Sequence, residues 1–171
     1  MDYQYDIPAG VIRRSALNND VPGLQYGLAR READPCAILV SDSKYGYRAA
    51  KRQLGLTLIN SSTSPDPYPE RGIHSITLWL GACGADPKEA EHLATACNHG
   101  LFCQPSNAHH GTLPMESSLL GAEAAHGVIS AVLPGEDGKI LVRAYGTAGE
   151  KEEVTLRFAA DVAQARAVNL F

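Results

Sequence analysis

The sequence predicts a mainly β protein, an antiparallel β-sandwich in a single domain over residues 1–171, with one α-helix near residues 87–99. Short apolar runs and alternating segments recur along the chain, hairpin-type turns separate them in the C-terminal third, and one segment has helical periodicity. Many short strands joined by such turns are typical of a sandwich. The 171 residues, 44% of them hydrophobic, suffice for one domain with its own core.

The first strands are predicted from apolar runs. Residues 36–40, with the sequence CAILV, form a continuous apolar run of strand length, which is typical of burial on both faces. Leucines alternate with other residues over 54–58, and large apolar residues alternate in the same way over 76–80. We expect 54–58 and 76–80 to be neighbouring strands that share one leucine-lined face.

A proline-rich loop, NSSTSPDPYPERG, separates these two alternating segments at residues 60–72. Its three prolines lack the amide hydrogen that strand pairing requires, so the segment is predicted to be a stiffened surface loop. Loops of this length in compact domains are often functional. Asp66, Glu70 and Arg71 are its candidate functional residues.

The helix is marked at both ends. Asp86 is a good N-cap, Pro87 suits the first helical position, and Glu89 completes the pattern of a capping box. Gly100 is predicted to end the helix. One face carries an apolar stripe with the spacing that a helix requires. The stripe consists of Ala90, Leu93, Ala94 and Cys97.

The C-terminal third is predicted to consist of strands with hairpin turns. GVISAVL and KILVRAY flank a turn that contains Asp137 and Gly138, and EEVTLRF follows a glycine-rich turn. These turn residues readily take the positive φ that tight hairpins need. A last strand is expected over 163–170.

Composition argues against two classes of partner. A net charge of −4 and a pI near 5.8 indicate no basic surface for nucleic acid or for an anionic membrane. The sequence has no apolar run of about 18 residues and no secretion signal at its start. We expect a soluble, cytoplasmic protein whose four cysteines are reduced.

Histidines and cysteines cluster in CNHGLFCQPSNAHH, residues 97–110. Zinc ligands usually come as two tight pairs, whereas the intervals between successive candidates here are one, three and five residues. Cys97 also belongs to the apolar stripe of the helix. We therefore predict no metal site in this chain.

Arg13 and Arg14 are adjacent candidates for ligand binding. Two guanidinium groups could clamp a carboxylate or donate to sugar hydroxyls, since each offers five donors in a fixed fork. The alternative is that these arginines form surface ion pairs with Asp6 or Asp20, which contribute little to stability.

The stretch SDSKYGY, residues 41–47, has two interpretations. In a sugar-binding surface, the rings of Tyr45 and Tyr47 would stack on pyranose faces while Asp42 and Lys44 bond to hydroxyls. In a hairpin corner, Asp42 would accept from nearby backbone amides and the tyrosines would pack across strands. Physical chemistry alone leaves both open.

Three segments of the chain, in order, resemble the C-terminal region of glycoside hydrolase family 38 α-mannosidases of the bacterial and cytosolic-type branch. They are YDIPAGVIRRSALNNDVPGLQYG, AILVSDSKYGYRAAKRQLGLTLINSSTSPDPYPERGIHSITLWL and GKILVRAYGTAGEKEEVTLRF. This sequence departs from the family at Ala9, where an aromatic residue is usual, and at Ser41, where an asparagine is usual.

The resemblance implies that this chain is part of a glycosidase but does not itself carry the catalytic residues. In this family the zinc, its ligands and the aspartate nucleophile belong to an N-terminal catalytic region, whose motifs this sequence lacks. The chain resembles the last part of a β-rich region similar to the galactose-mutarotase supersandwich. We therefore expect no cofactor in this chain, zinc in the catalytic domain, and no mannosidase activity from this chain alone.

The resemblance also implies partners. The first is the catalytic domain of the same enzyme, and the second is an α-mannoside. An exposed strand edge or apolar face, which would promote homo-oligomers, is expected as well. The alternatives are a free-standing carbohydrate-binding sandwich and, from fold analogy alone, a mutarotase-like enzyme that uses a histidine and a carboxylate. The candidate substrate or interface residues are Asp42, Lys44, Tyr45, Tyr47, Asp66, Glu70, Arg71, Arg13 and Arg14.

Overall fold

The structure of the chain is a computed structural model that describes residues 2–31, 35–112 and 114–169. These ranges contain short strands, one α-helix and one short 3-10 turn. The N-terminal strands are β1 (Asp2–Ile7), β2 (Gly10–Arg14), β3 (Asp20–Pro22), β4 (Tyr26–Arg30), β5 (Cys36–Ser41), β6 (Gly46–Ala50), β7 (Gln53–Leu56) and β8 (Leu78–Cys83). They are followed by α1 (Pro87–Asn98), β9 (Leu120–Glu123), β10 (Gly127–Pro134), the 3-10 turn Glu136–Gly138, β11 (Ile140–Gly146) and β12 (Thr155–Phe158).

A five-stranded antiparallel sheet, in the order β2-β1-β4-β5-β8, forms the middle layer of the N-terminal half. The three-stranded sheet β3-β6-β7 packs on one of its faces, and α1 packs on the other. The pairs β10-β11 and β9-β12 complete the structure. The prediction of a mainly β, antiparallel sandwich with one helix is confirmed.

Aromatic side chains fill the space between the two sheets. Tyr3 and Tyr5 alternate onto this face of β1, where they meet Tyr47 and Ala49 of β6. The Tyr5 and Tyr47 ring centroids are 5.9 Å apart. Gly27 of β4 lies beneath the Tyr47 ring, and a Cβ atom there would come within 2.8 Å of that ring. The close approach of β4 to the tyrosine therefore requires a glycine.

The helix covers the opposite face of the five-stranded sheet. Asp86 caps it by accepting from the amide of Lys88 at 3.0 Å, and Pro87 occupies the first turn, as predicted. The helix ends at Asn98 with an extended His99, so it stops just before Gly100. Its apolar stripe packs against the core, as predicted. Within the described residues, no helix is long and apolar enough to cross a membrane.

Of the two predicted C-terminal hairpins, the first forms and the second does not, because β12 pairs with β9 and not with β11. β10 and β11 pair around a turn in which Asp137 and Gly138 have φ of 56° and 71°. The expected last strand over 163–170 is wrong for residues 163–169, which form no strand, and Leu170 lies outside the described residues. The segment alternates, but its small alanines offer little apolar area with which to hold a strand on a sheet.

The two leucine-rich segments are not neighbours, contrary to prediction. β7 pairs with β6 in the three-stranded sheet, whereas β8 pairs with β5 at the edge of the five-stranded sheet. The proline-rich segment carries the chain from one sheet to the other. Alternation predicted one leucine face for each segment without identifying the strand that lies beside it, and in β8 the leucines of that face are exposed rather than buried. As a result, Leu80 of β8 is 83% exposed.

Candidate functional site

Asp42 holds the connection between β5 and β6 against the segment that enters β8. Its Oδ1 accepts from the Ser43 hydroxyl at 2.6 Å, and its Oδ2 accepts from the Thr77 amide at 3.1 Å. The hydrogen bond from Ser43 has the largest effect on the pKa of the Asp42 carboxyl, and together with the one from Thr77 it lowers that pKa. The hairpin-corner interpretation expected Asp42 to accept from nearby backbone amides, but Ser41 Oγ accepts from the amides of Ser43 and Lys44 instead, and the Asp42 carboxylate stays exposed.

The remaining candidates of this stretch separate into buried and accessible side chains. Tyr47 is 0% exposed and donates from its hydroxyl to the carbonyl of Gln25 at 2.9 Å. Burial, with a smaller contribution from Asp6, raises its pKa. The prediction that Tyr47 contacts a ligand is wrong, because its ring is part of the sandwich core. Tyr45 is 57% exposed and Lys44 is half-buried, so both remain available at the surface.

The proline-rich segment is an exposed loop, as predicted, and its candidate residues shape it. Asp66 Oδ1 accepts from the amide of Tyr68 at 2.8 Å, and Glu70 Oε2 accepts from the amide of Asn60 at 2.6 Å. The Arg71 guanidinium lies 5.3 Å from the centroid of the Tyr68 ring, in a cation–π contact. Thr77, five residues after the end of the loop, donates from its amide to Asp42.

Arg13 and Arg14 do not form one site. In the β1-β2 ladder Arg13 is the partner of Gln4, and Arg14 is the partner of Tyr3. Successive residues of a strand point to opposite faces, so the two guanidinium groups lie on opposite sides of the sheet. The prediction that they clamp one carboxylate together is therefore wrong, and each can act only alone.

The ion pairs suggested for these arginines do not form either, because both acids have other partners. Asp6 is buried and accepts from the backbone amides of residues 24–26 at 2.8 to 3.0 Å. Burial raises the pKa of Asp6 despite these hydrogen bonds. Asp20 accepts from Arg48 at 2.8 Å and from the Thr57 hydroxyl at 2.6 Å.

The histidine- and cysteine-rich segment does not converge on a point. Cys97 packs against the helix-side core, whereas Cys103, His109 and His110 are exposed in the irregular segment that follows α1. Within residues 2–31, 35–112 and 114–169, no group of three or more His, Cys, Asp or Glu residues is placed to hold a metal ion.

A buried polar cluster that sequence reasoning missed lies between α1, the five-stranded sheet and β11. Glu91 is 2% exposed, and burial raises its pKa to about 7. The nearby Asp6 adds to this rise, while hydrogen bonds from Tyr145 and Tyr26 oppose it. Gln4 completes the cluster by donating from Nε2 to the Tyr26 hydroxyl at 3.1 Å. A carboxyl in this setting exchanges its proton near neutral pH.

Only one part of this buried cluster, the position of Glu91, could have been predicted from the sequence. Glu91 lies three positions before Ala94, so a helical reading puts it beside the apolar stripe. Nothing in the sequence placed Tyr145, which is more than fifty positions away, next to it. Periodicity assigns faces to an element, whereas the cluster depends on which elements meet.

A small surface pocket of about 240 Å³ lies next to the buried cluster, and Tyr145 belongs to both. Glu152 of the pocket wall accepts from the amide of His126 at 2.6 Å, and the His126 ring lies 3.4 Å from Asp86. The wall therefore combines an aromatic ring with two carboxylates. It is lined by Ala144, Tyr145, Gly146, Glu150, Glu152 and Val154.

The most extensive feature is apolar surface that no part of the described chain covers. Leu78 and Leu80 of β8 are exposed, and β8 pairs only with β5 among the described strands. We call these two leucines and the outer edge of β8 the β8 surface. The total accessible surface of the chain is 13,098 Å². Further large exposed apolar side chains are Ile73, Leu101, Phe102, Met115, Leu119 and Ile140.

Comparison of the sequence with protein-family models and with curated proteins finds no match.

Proposed function

We propose that this chain is a non-catalytic C-terminal domain of a family 38 α-mannosidase, which packs on the catalytic domain of the enzyme and borders its sugar-binding cleft. The observation that carries the proposal is the uncovered surface. A compact monomer of 18.2 kDa would expose about 8,100 Å², against the 13,098 Å² of this chain.

The excess of roughly 5,000 Å² lies on this chain alone, and it exceeds the share of about 1,000 to 2,500 Å² that one partner contributes to a large obligate interface. Scattered apolar residues are normal on a monomer, whereas an unpaired strand edge with leucines beside it is a site for association. The β8 surface has both properties. A protein partner of considerable size therefore fits this chain better than a small ligand alone.

The identity of the partner rests on the resemblance of three successive segments to the family. A zinc-dependent catalytic domain would supply the metal and the nucleophile, and this domain would supply support and part of the cleft wall. The surface residues Asp42, Lys44 and Tyr45, together with the loop at 60–72, are the proposed sugar-facing contacts. Cytoplasmic localisation belongs to the same proposal, in agreement with four cysteines that are all thiols.

Complex formation tests the proposal. The chain, mixed with the catalytic region of a family 38 α-mannosidase from the same genome, should form a complex in sedimentation velocity. Leu80→Asp should abolish the complex, because it places a charge on the β8 surface. Val168→Asp is the matched control, since Val168 is also an exposed apolar residue and lies in the C-terminal segment. Absence of a complex with the wild-type chain would refute the docking role.

A second candidate is the free-standing carbohydrate-binding sandwich, which is favoured by the pocket at Tyr145 and by the exposed Tyr45. Titration calorimetry with mannose and with α-linked mannobiose separates the two functions. Saturable heat from the chain alone would support the binding module. A complex in sedimentation without heat in calorimetry would support the docking domain.

A further inference from the structure

Cys36 and Cys83 face each other across the ladder between β5 and β8. They are register partners, the first residue of β5 and the last of β8. Both belong to the helix-side core, with 0% and 6% exposure, and both are thiols. We propose that they form a redox site, in which a peroxide joins the two sulfurs in a disulfide that ties β8 to β5.

The geometry of an antiparallel ladder suits this bond. Directly opposite residues have Cα atoms about 4.5 or 5.5 Å apart, according to the type of pair. Disulfides span Cα separations of about 4.4 to 6.8 Å, so either type of pair falls within their range. The two side chains also point to the same face of the sheet. The bond can therefore form without a shift of one strand along the other.

Both cysteines are buried, so an oxidant reaches the pair only when this end of the ladder opens. β8 is an edge strand of its sheet, and Cys83 is its last residue. The end of a strand that is paired on one side opens more readily than the centre of a sheet. Cys83, the more exposed of the two, therefore reacts first, and Cys36 resolves the intermediate. Cys97 and Cys103 lie on and after the helix, and neither is a register partner of a cysteine.

The reaction balances with one hydrogen peroxide. The Cys83 thiolate attacks a peroxide oxygen, the O–O bond breaks, and the departing oxygen takes up the thiol proton and leaves as water. The Cys36 sulfur then attacks the sulfenic acid sulfur, the S–S bond forms, and the hydroxyl leaves with the Cys36 proton as a second water. Two thiols lose two electrons, and one peroxide is reduced to two waters.

The bond would restrain the strand that carries Leu78 and Leu80. It closes the chain between residues 36 and 83, which removes conformations from the unfolded state. Oxidised protein should therefore unfold at a higher urea concentration than reduced protein. The same bond would hold the β8 surface in its folded position.

Peptide mapping of the native full-length chain tests the proposal. The protein is treated with hydrogen peroxide, its remaining thiols are alkylated after denaturation, and the digest is analysed by mass spectrometry. The expected product is a cross-linked Cys36–Cys83 peptide pair that has lost two hydrogen atoms, with Cys97 and Cys103 mostly alkylated. Because the mapping uses the wild-type chain, its result does not depend on the folding of a variant.

Two variants provide matched controls. The Cys97→Ser/Cys103→Ser double variant should keep both the cross-link and the rise in urea midpoint, whereas Cys83→Ala should lose both. Recovery of Cys36 and Cys83 as alkylated thiols under conditions that oxidise Cys97 or Cys103 would overturn the proposal. So would a cross-link that appears only when the peroxide is added in urea.

Discussion

Tyr45 and Tyr47 illustrate how far single residues of one motif can differ. Both were candidates for stacking on a sugar, yet the Tyr47 ring is enclosed between Tyr5 and β4, and Tyr45 is at the surface. The sequence of this short motif does not indicate which of its two tyrosines is buried. The distinction comes from β3, β4 and β7, which the motif does not contain.

Substitution of these tyrosines should give unequal results. Tyr47→Phe removes the hydrogen bond to Gln25 and should lower the free energy of unfolding by about 1 kcal/mol. Tyr47→Ala also leaves a cavity and should cost about 3 to 5 kcal/mol. Tyr45→Ala, the matched control, should stay within about 0.5 kcal/mol. Urea denaturation measures all three, and equal losses at both positions would contradict this assignment.

Glu91 should make stability depend on pH. Its pKa is about 7 in the folded protein, against an ordinary value of 4.5, so the folded state binds the proton more tightly. The resulting stabilisation is fully present below pH 4.5 and is lost as the pH rises to about 7. At about 1.4 kcal/mol per pKa unit, the loss is roughly 3 kcal/mol. Asp6, whose pKa burial also raises, contributes with the same sign.

Urea unfolding between pH 4 and pH 8 tests this dependence. Glu91→Gln should make the free energy of unfolding less dependent on pH above the acidic range. The variant should therefore gain stability relative to the wild type as the pH rises. Glu89→Gln is the control, since Glu89 is exposed on the same helix. The expectation fails if the wild type and Glu91→Gln lose stability in parallel over this range.

At the scale of the element, local chemistry predicted most of what formed. The start of the helix was predicted correctly from Asp86 and Pro87, and the hairpin turn from Asp137 and Gly138. Such predictions succeed because caps and turns depend on neighbouring residues. Pairing depends on distant residues, so the leucine segments were assigned to one shared face when they belong to two sheets. The last predicted strand does not form over residues 163–169, because its small alanines offer little apolar area with which to hold a strand on a sheet.

The cap of α1 provides a prediction at this scale. Asp86→Ala removes the acceptor for the Lys88 amide and should lower the free energy of unfolding by about 1 kcal/mol. Asp66→Ala removes a similar acceptor, for the amide of Tyr68, but in an exposed loop. That control should change stability by less than about 0.5 kcal/mol. Thermal unfolding followed by circular dichroism compares them, and an equal effect would argue against the cap.

At the scale of the whole molecule, the sequence predicted that an edge or an apolar face would be exposed, and the β8 surface is such a feature. Its location could not be predicted, because the partner of β8 was assigned incorrectly. The candidate site residues predicted from the sequence also lie in different parts of the structure. Asp42, Lys44, Tyr45 and the loop residues are at the surface, Tyr47 is in the core, and the arginine pair is split across a sheet.

Without its partner, the chain should self-associate through the β8 surface. An unpaired strand edge beside exposed leucines is the kind of surface that joins copies of a chain. Sedimentation velocity over a range of protein concentrations should show the average mass rising with concentration. Leu80→Asp should reduce this rise, and Val168→Asp should not. A wild-type chain that stays monomeric at every concentration would count against an incomplete surface.

The most direct measurement is the hydrolysis of 4-nitrophenyl α-mannoside by this chain, by the family 38 catalytic region from the same genome, and by the two together. We predict no hydrolysis by this chain alone, an increase when it is added to the catalytic region, and loss of that increase with Leu80→Asp but not with Val168→Asp. Hydrolysis by this chain alone, or a catalytic region whose rate is the same with and without it, would contradict its assignment as a docking domain of an α-mannosidase.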